Sequence, residues 1–208
     1  MTRLSSTVIQ HIEAMCEAGN ASMAYFYFDF QDTNKQCLHD LVTSLLVQLS
    51  VRSDSCCKIL SNLYVAYGEG LKQPSDSTLT NCLKEMLTIP DRRPIYLIID
   101  GLDEPPNASG FPSPREGVLE LLKGLVGLPI SNLRMCVTSR PEIDIPYAVE
   151  PPVSHQISLH DQSGQKKDIA DYVRSVVYSS SEPFMRRWKT EDKEHVIKTL
   201  FKRAGSDV

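Results

Sequence analysis

The chain has 208 residues, a net charge of −4, 41% hydrophobic residues and 23% charged residues. This length suits one ample α/β domain, or one domain with a fragment of a second, and the charge does not favour nucleic acid or an anionic membrane as a partner. Residues 1–10 do not resemble a secretory signal, and no apolar run reaches membrane-spanning length. The six cysteines lack metal-binding spacing, so we interpret them as reduced thiols of a cytoplasmic protein.

The first ninety residues predict helices with one strand among them. Leu4, Val8, Ile9 and Ile12 recur at helical spacing, and Gly19-Asn20 suits the end of that helix. The elements predicted next are a strand at Ala24–Phe30, a helix at Asn34–Leu49, a helix that stops near Gly68, and a helix that runs up to Pro90.

The segment Ile95–Ile99 is a continuous apolar run, which is typical of a strand buried on both faces of a parallel sheet. Three carboxylates follow it, at Asp100, Asp103 and Glu104. Open α/β sheets bind ligands at this end of their strands, and P-loop nucleotide hydrolases hold magnesium with an aspartate placed in this way. The alternative is a solvated acidic turn, but the pattern Asp-Gly-Leu-Asp-Glu favours a nucleotide site.

The second half of the chain continues the alternation of helices and strands. The predicted elements are a proline-rich loop after Glu104, a helix around Val118–Val126, a strand at Met135–Thr138, a strand at Gln156–Leu159, a helix at Lys166–Tyr178 and a last helix that carries Val196–Phe201. This order indicates a three-layer α/β domain over residues 1–160, followed by a helical region over residues 161–208.

Two stretches resemble motifs of one protein family. Tyr96–Glu104 resembles the Walker B segment of NACHT-type NTPases, which belong to the STAND class of signalling ATPases. Leu133–Glu142 contains Thr-Ser-Arg-Pro and resembles the sensor strand of the same family. The resemblance extends over nearly the whole chain, and it is strongest to the large fungal NACHT proteins whose N-terminal region is called nephrocystin-like.

The resemblance implies a P-loop NTPase-like parallel sheet, the start of a small helical subdomain, and specific roles for the site residues. Asp100 would bind Mg²⁺ when nucleotide is present, Asp103 or Glu104 would orient or activate the attacking water, and Arg140 would sense the terminal phosphate. The family's cofactors are ATP and Mg²⁺.

The phosphate-binding motif Gly-x-x-x-x-Gly-Lys-[Ser/Thr] is absent, because the sequence contains no Gly-Lys pair. The family continues this motif into Leu-Ser-Ser, and in that register Thr2 occupies the position of the magnesium-binding hydroxyl and Met1 that of the lysine. The fold is therefore expected to lack its first strand, and the chain by itself is expected to bind ATP weakly.

Two functions remain open at this point. The chain is either part of a nucleotide-dependent signalling switch that has lost hydrolysis, or a non-catalytic protein-interaction module or truncated gene product. Because the phosphate-binding motif is missing, it stays open whether the chain is an enzyme. The partners that the resemblance implies are a second copy or other signalling proteins, without nucleic acid or membrane.

Overall fold

The computed structural model describes residues 2–90, 93–107, 113–140, 142, 144–145, 163–178 and 188–204, without the side chains of residues 2–4, 163–170 and 201–204. The chain divides into two compact units, Met1–Val153 and Ser154–Val208. The boundary predicted from the sequence, at residue 160, stays a prediction. The predicted strand Gln156–Leu159 lies outside the described residues.

The described part of the first unit is an α/β structure with a three-stranded parallel sheet in the order β1-β2-β3. The strands are β1 (Ser22–Tyr27), β2 (Ile95–Asp100) and β3 (Leu133–Val137). The helices of this unit are α1 (Thr2–Glu17), α2 (Leu38–Arg52), α3 (Asp54–Ala66), α4 (Asp76–Leu87) and α5 (Pro114–Val126). The prediction of a parallel sheet with Ile95–Asp100 in the middle is confirmed.

Helices cover both faces of the sheet, as the continuous apolar run of β2 requires. On one face, Ile9 and Ile12 of α1 contact Met23 and Ile98 in a small cluster. The other face carries the larger core, in which α2, α4 and α5 pack against the strands, with the buried residues Ala24, Leu97, Ile99, Leu41, Leu45, Leu83 and Leu122. Helix α3 packs on α2 and α4.

The end of β1 and the start of α2 differ from the bounds predicted from the apolar pattern. Strand β1 ends at Tyr27, because Tyr27 pairs with Asp100, the last residue of β2. One further hydrogen bond joins the two segments, from Phe28 N to Asp100 O (2.9 Å). The predicted helix Asn34–Leu49 is a short 3₁₀ turn, Thr33–Lys35, followed by α2. Asp32 caps that turn by accepting from Asn34 N (3.0 Å).

A glutamine side chain occupies the outer edge of β1. Gln48 of α2 accepts from Tyr25 N (3.0 Å) and donates to Tyr25 O (2.7 Å), as a neighbouring strand would. Unpaired strand edges expose hydrogen-bonding groups to other chains. At Tyr25 these groups are satisfied within the molecule.

The second unit contains α6 (Ser163–Tyr178) and α7 (Thr190–Ala204) in its described part. The two helices pack together with Val177 and Ile197 buried. Tyr178 donates its hydroxyl to Glu194 (2.8 Å), and this hydrogen bond raises the pKa of the tyrosine.

Candidate functional site at the carboxyl end of the sheet

The carboxylate of Asp100 lies at the carboxyl ends of the strands and is 6% exposed. Its Oδ1 accepts hydrogen bonds from Ser5 Oγ of α1 (2.5 Å) and from Thr138 Oγ1, directly after β3. The Thr138 hydroxyl in turn accepts from Gly101 N (3.2 Å). Asp100 therefore joins the first turns of α1, the end of β2 and the end of β3.

The acidic turn, residues 101–105, follows Asp100 and reverses the chain. Glu104 N donates to Gly101 O (2.9 Å). The side chain of Leu102, which belongs to this turn, is fully buried. Gly101 has a φ of +75°, a backbone conformation that side-chain-bearing residues adopt at a cost. The glycine of Asp-Gly-Leu-Asp-Glu is therefore required by the geometry of the turn.

Arg140 contacts both carboxylates of the acidic turn. Its backbone N donates to Asp103 Oδ1 (2.8 Å), its Nε lies 3.4 Å from Asp103 Oδ2, and one terminal nitrogen lies 3.5 Å from Glu104 Oε1. Ser139 Oγ is 3.4 Å from Asp103 Oδ1. The Arg140 side chain is 66% exposed, whereas that of Asp103 is 5% exposed.

The structure thus brings Asp100, Asp103, Glu104 and Arg140 to one edge of the sheet. The backbone of Thr2 begins α1, but its side chain lies outside the described residues. The catalytic, cofactor-binding and metal-binding roles of these five residues stay predictions.

All the predicted site residues lie within the part of the chain that matches a known protein family. The model of the family Nephrocystin 3, N-terminal, matches residues 2–140, from the start of α1 to Arg140. The chain belongs to this family. Searches of curated proteins and of solved structures find no significant match to this nephrocystin 3 N-terminal family member.

None of the helices in the described ranges is long and apolar enough to cross a membrane. Within the same ranges, no group of three or more His, Cys, Asp and Glu side chains could hold a metal ion.

Cys136 lies on β3 beside the site, and its thiol has a raised pKa. Partial desolvation of the thiol is the main cause, although the residue as a whole is exposed, and the negative charge of Asp100 contributes to the same effect. Both disfavour the thiolate, which is the nucleophilic form of cysteine. The thiol is therefore expected to be neutral near pH 7.

Sequence reasoning missed two residues of the site in this family member. Ser5 lies three residues after Thr2, on the same side of α1, and was visible only as part of the Leu-Ser-Ser register. Arg115 is the second residue of α5, where a positive charge opposes the helix dipole. That unfavourable position was the available signal that its side chain has partners elsewhere.

Gly101→Ala is expected to lower the free energy of unfolding by about 2–4 kcal/mol, because left-handed strain of about 1–2 kcal/mol adds to overpacking. A Cβ at Gly101 would lie 3.0 Å from Glu104 Cγ and 3.3 Å from Phe28 O. Gly19→Ala is the matched control, since Gly19 has a φ of +71° with nothing within 4 Å of an added Cβ. Urea denaturation measures the free energy of unfolding of both variants. Equal losses of this free energy would show that crowding at Gly101 contributes nothing.

Proposed function

We propose that this nephrocystin 3 N-terminal chain forms part of a nucleotide-dependent molecular switch of the NACHT type, with a P-loop NTPase-like core. In this proposal, Asp100 shares a magnesium ion with the nucleotide phosphates, Asp103 or Glu104 orients the attacking water, and Arg140 senses the terminal phosphate. The observation that carries it is the convergence of these four side chains at the carboxyl end of β2 and β3, where open α/β sheets bind ligands.

The position of α1 supports an anion at the same place. Ser5, the fourth residue of α1, reaches Asp100, so the N-terminal turn of this helix lies at the carboxyl edge of the sheet. Helix N-termini attract phosphate through their free backbone N–H groups and the helix dipole. A phosphate there would lie near Asp100, and a magnesium ion could bridge the two.

The exposure of Arg140 suits a residue that changes partner. Its ion pairs with Asp103 and Glu104 have N–O distances of 3.4 and 3.5 Å, and its side chain is mostly in solvent. Asp103 and Glu104 are largely shielded from water, but the guanidinium is mostly solvated, so solvent screens its attraction to them on one side. A doubly charged terminal phosphate could attract the guanidinium away from the acidic turn, and the loss of its ion pairs with Asp103 and Glu104 would report the bound nucleotide.

A second candidate function is a non-catalytic interaction module, acting on a second copy or on other signalling proteins. The observation that favours it is the absence of any Gly-Lys pair in the 208 residues, because the lysine and the loop amides supply most phosphate contacts in P-loop proteins. The two candidates differ in whether the site binds nucleotide once those contacts are supplied.

The deciding experiment replaces Met1 with a segment of the form Gly-x-x-x-x-Gly-Lys joined to Thr2. The added lysine and amides would make several charge-assisted hydrogen bonds of about 1.5–3 kcal/mol each, so two of them alone predict binding of Mg-ATP about 100-fold tighter or more. Isothermal titration calorimetry measures the Kd of the original and extended chains. The original chain is expected to bind ATP no tighter than about 1 mM, which corresponds to about −4 kcal/mol.

The matched control for this experiment carries the same segment with methionine in place of its lysine. Micromolar binding by the original chain would contradict the proposed weak site. If neither extended version binds Mg-ATP, the nucleotide-switch proposal is wrong and the interaction module is favoured. Equal binding by the lysine and methionine versions would exclude the P-loop register proposed for Thr2.

A further inference from the structure

We infer that Arg115 is a positioning residue that holds the acidic turn and the segment after β3 in a fixed relation to each other. No sequence motif marks position 115 as functional, and Arg115 acts on the geometry of the site. The chemical roles of Asp103 and Glu104 in the acidic turn rest on the proposed function.

The guanidinium group of Arg115 contacts two segments at once. Within the acidic turn, one terminal nitrogen donates to Asp103 O (2.5 Å) and Nε donates to Pro105 O (3.1 Å). The other terminal nitrogen donates to the two carboxylate oxygens of Asp144, at 3.3 and 3.4 Å. Arg115 is 8% exposed, so its contacts with the acidic turn are largely shielded from water, whereas the Asp144 side chain is 36% exposed.

The start of α5 holds the backbone of Arg115 in place. Ser113 caps the helix in a capping box with Glu116, and Pro114 is the first helical residue. This start is well formed without the arginine, and a cation in the first turn is unfavourable for the helix itself. The charge at position 115 is therefore explained by its partners outside α5.

The contacts of Arg115 bear directly on the site residues. Asp103 is held on its carbonyl side by Arg115, while its carboxylate accepts from the backbone N of Arg140. Asp144 follows Arg140 by four residues. Leu102 N donates to Thr138 O (3.0 Å), so one backbone hydrogen bond joins the acidic turn to the end of β3. Beyond Leu102 and Thr138, the described contacts that hold Asp103 near Arg140 involve side chains.

Only arginine has the donors for this arrangement. Its planar guanidinium presents five N–H groups in fixed directions, whereas the single ammonium of lysine cannot reach three separated acceptors together. Arg115→Lys therefore keeps the charge and the aliphatic part of the side chain but loses the simultaneous contact with both segments. This makes it a sharper test than a truncation.

The test is hydrogen–deuterium exchange of the full chain, read at the backbone amides of Glu104 and Arg140. Arg115→Lys is expected to accelerate exchange at these two amides at least tenfold more than at Phe28, whose amide donates to β2. Arg134→Lys is the matched control, because Arg134 also donates to backbone carbonyls, those of Ser131 and Leu133, away from the acidic turn. This control is expected to leave the exchange of both reporter amides unchanged.

The outcomes separate positioning from a general contribution to folding. Local acceleration at Glu104 and Arg140 supports the inference, and Asp144→Asn should then accelerate Arg140 more than Glu104. If Arg115→Lys does not fold, accelerates all amides equally, or leaves the reporters unchanged, Arg115 is not a positioning residue. The measurement uses no nucleotide, so its result is independent of whether the proposed switch function is correct.

Discussion

Asp100→Asn, placed in the chain that carries the added Gly-Lys segment, is expected to lower Mg²⁺-dependent ATP hydrolysis by about 100-fold or more. An amide cannot supply the negative charge that a magnesium ion shares with phosphate oxygens. Metal ions stabilise the transition state of phosphoryl transfer by several kcal/mol, and a loss of about 2.7 kcal/mol corresponds to a factor of 100 in rate. Phosphate release at a fixed Mg²⁺ concentration measures the effect.

The fold should tolerate this substitution. Asparagine keeps a side-chain oxygen where Ser5 and Thr138 donate, so the contacts between α1, β2 and β3 can be retained. Asp32→Asn is a suitable control, because Asp32 caps an exposed 3₁₀ turn and asparagine is an equally good cap. Unchanged hydrolysis in Asp100→Asn, with the same dependence on Mg²⁺, would move the metal-binding role to another residue.

Leu97→Ala is expected to lower the free energy of unfolding by about 2–5 kcal/mol, the range for removing a fully buried leucine side chain. Leu97 lies in the middle of the central strand, has 0% exposure and belongs to the large core between the sheet and helices α2, α4 and α5. The surrounding side chains come from several elements, so they cannot close the cavity without moving whole helices. Urea denaturation with a constant m-value measures the loss.

Leu71→Ala is the control for the same chemical change at the surface. Leu71 is 90% exposed, so removing its side chain alters little buried area, and the expected change is within about 0.5 kcal/mol. A loss of less than about 1 kcal/mol in Leu97→Ala would contradict the assignment of β2 as the buried centre of the sheet.

The sequence by itself determined the central strand, its parallel neighbours and the helices on both faces. The reason is that these features depend on local patterns: an unbroken apolar run at Ile95–Ile99 must be covered on both sides, and apolar stripes at helical spacing supply the cover. It also determined that Asp100 and Arg140 lie at one edge, because parallel strands end on the same side. Element ends were less predictable, since caps such as Asp32 and the length of the partner strand decide them.

Only the tertiary structure decided which side chains meet at that edge. Ser5 and Asp100 are 95 residues apart, and a serine in the pattern Leu-Ser-Ser could have faced solvent equally well. Arg115 belongs to no motif, yet its position between the acidic turn and Asp144 gives it four acceptor oxygens in two segments. Hydrogen-bond partners depend on how separate elements pack, and that information is not contained in the local pattern around either residue.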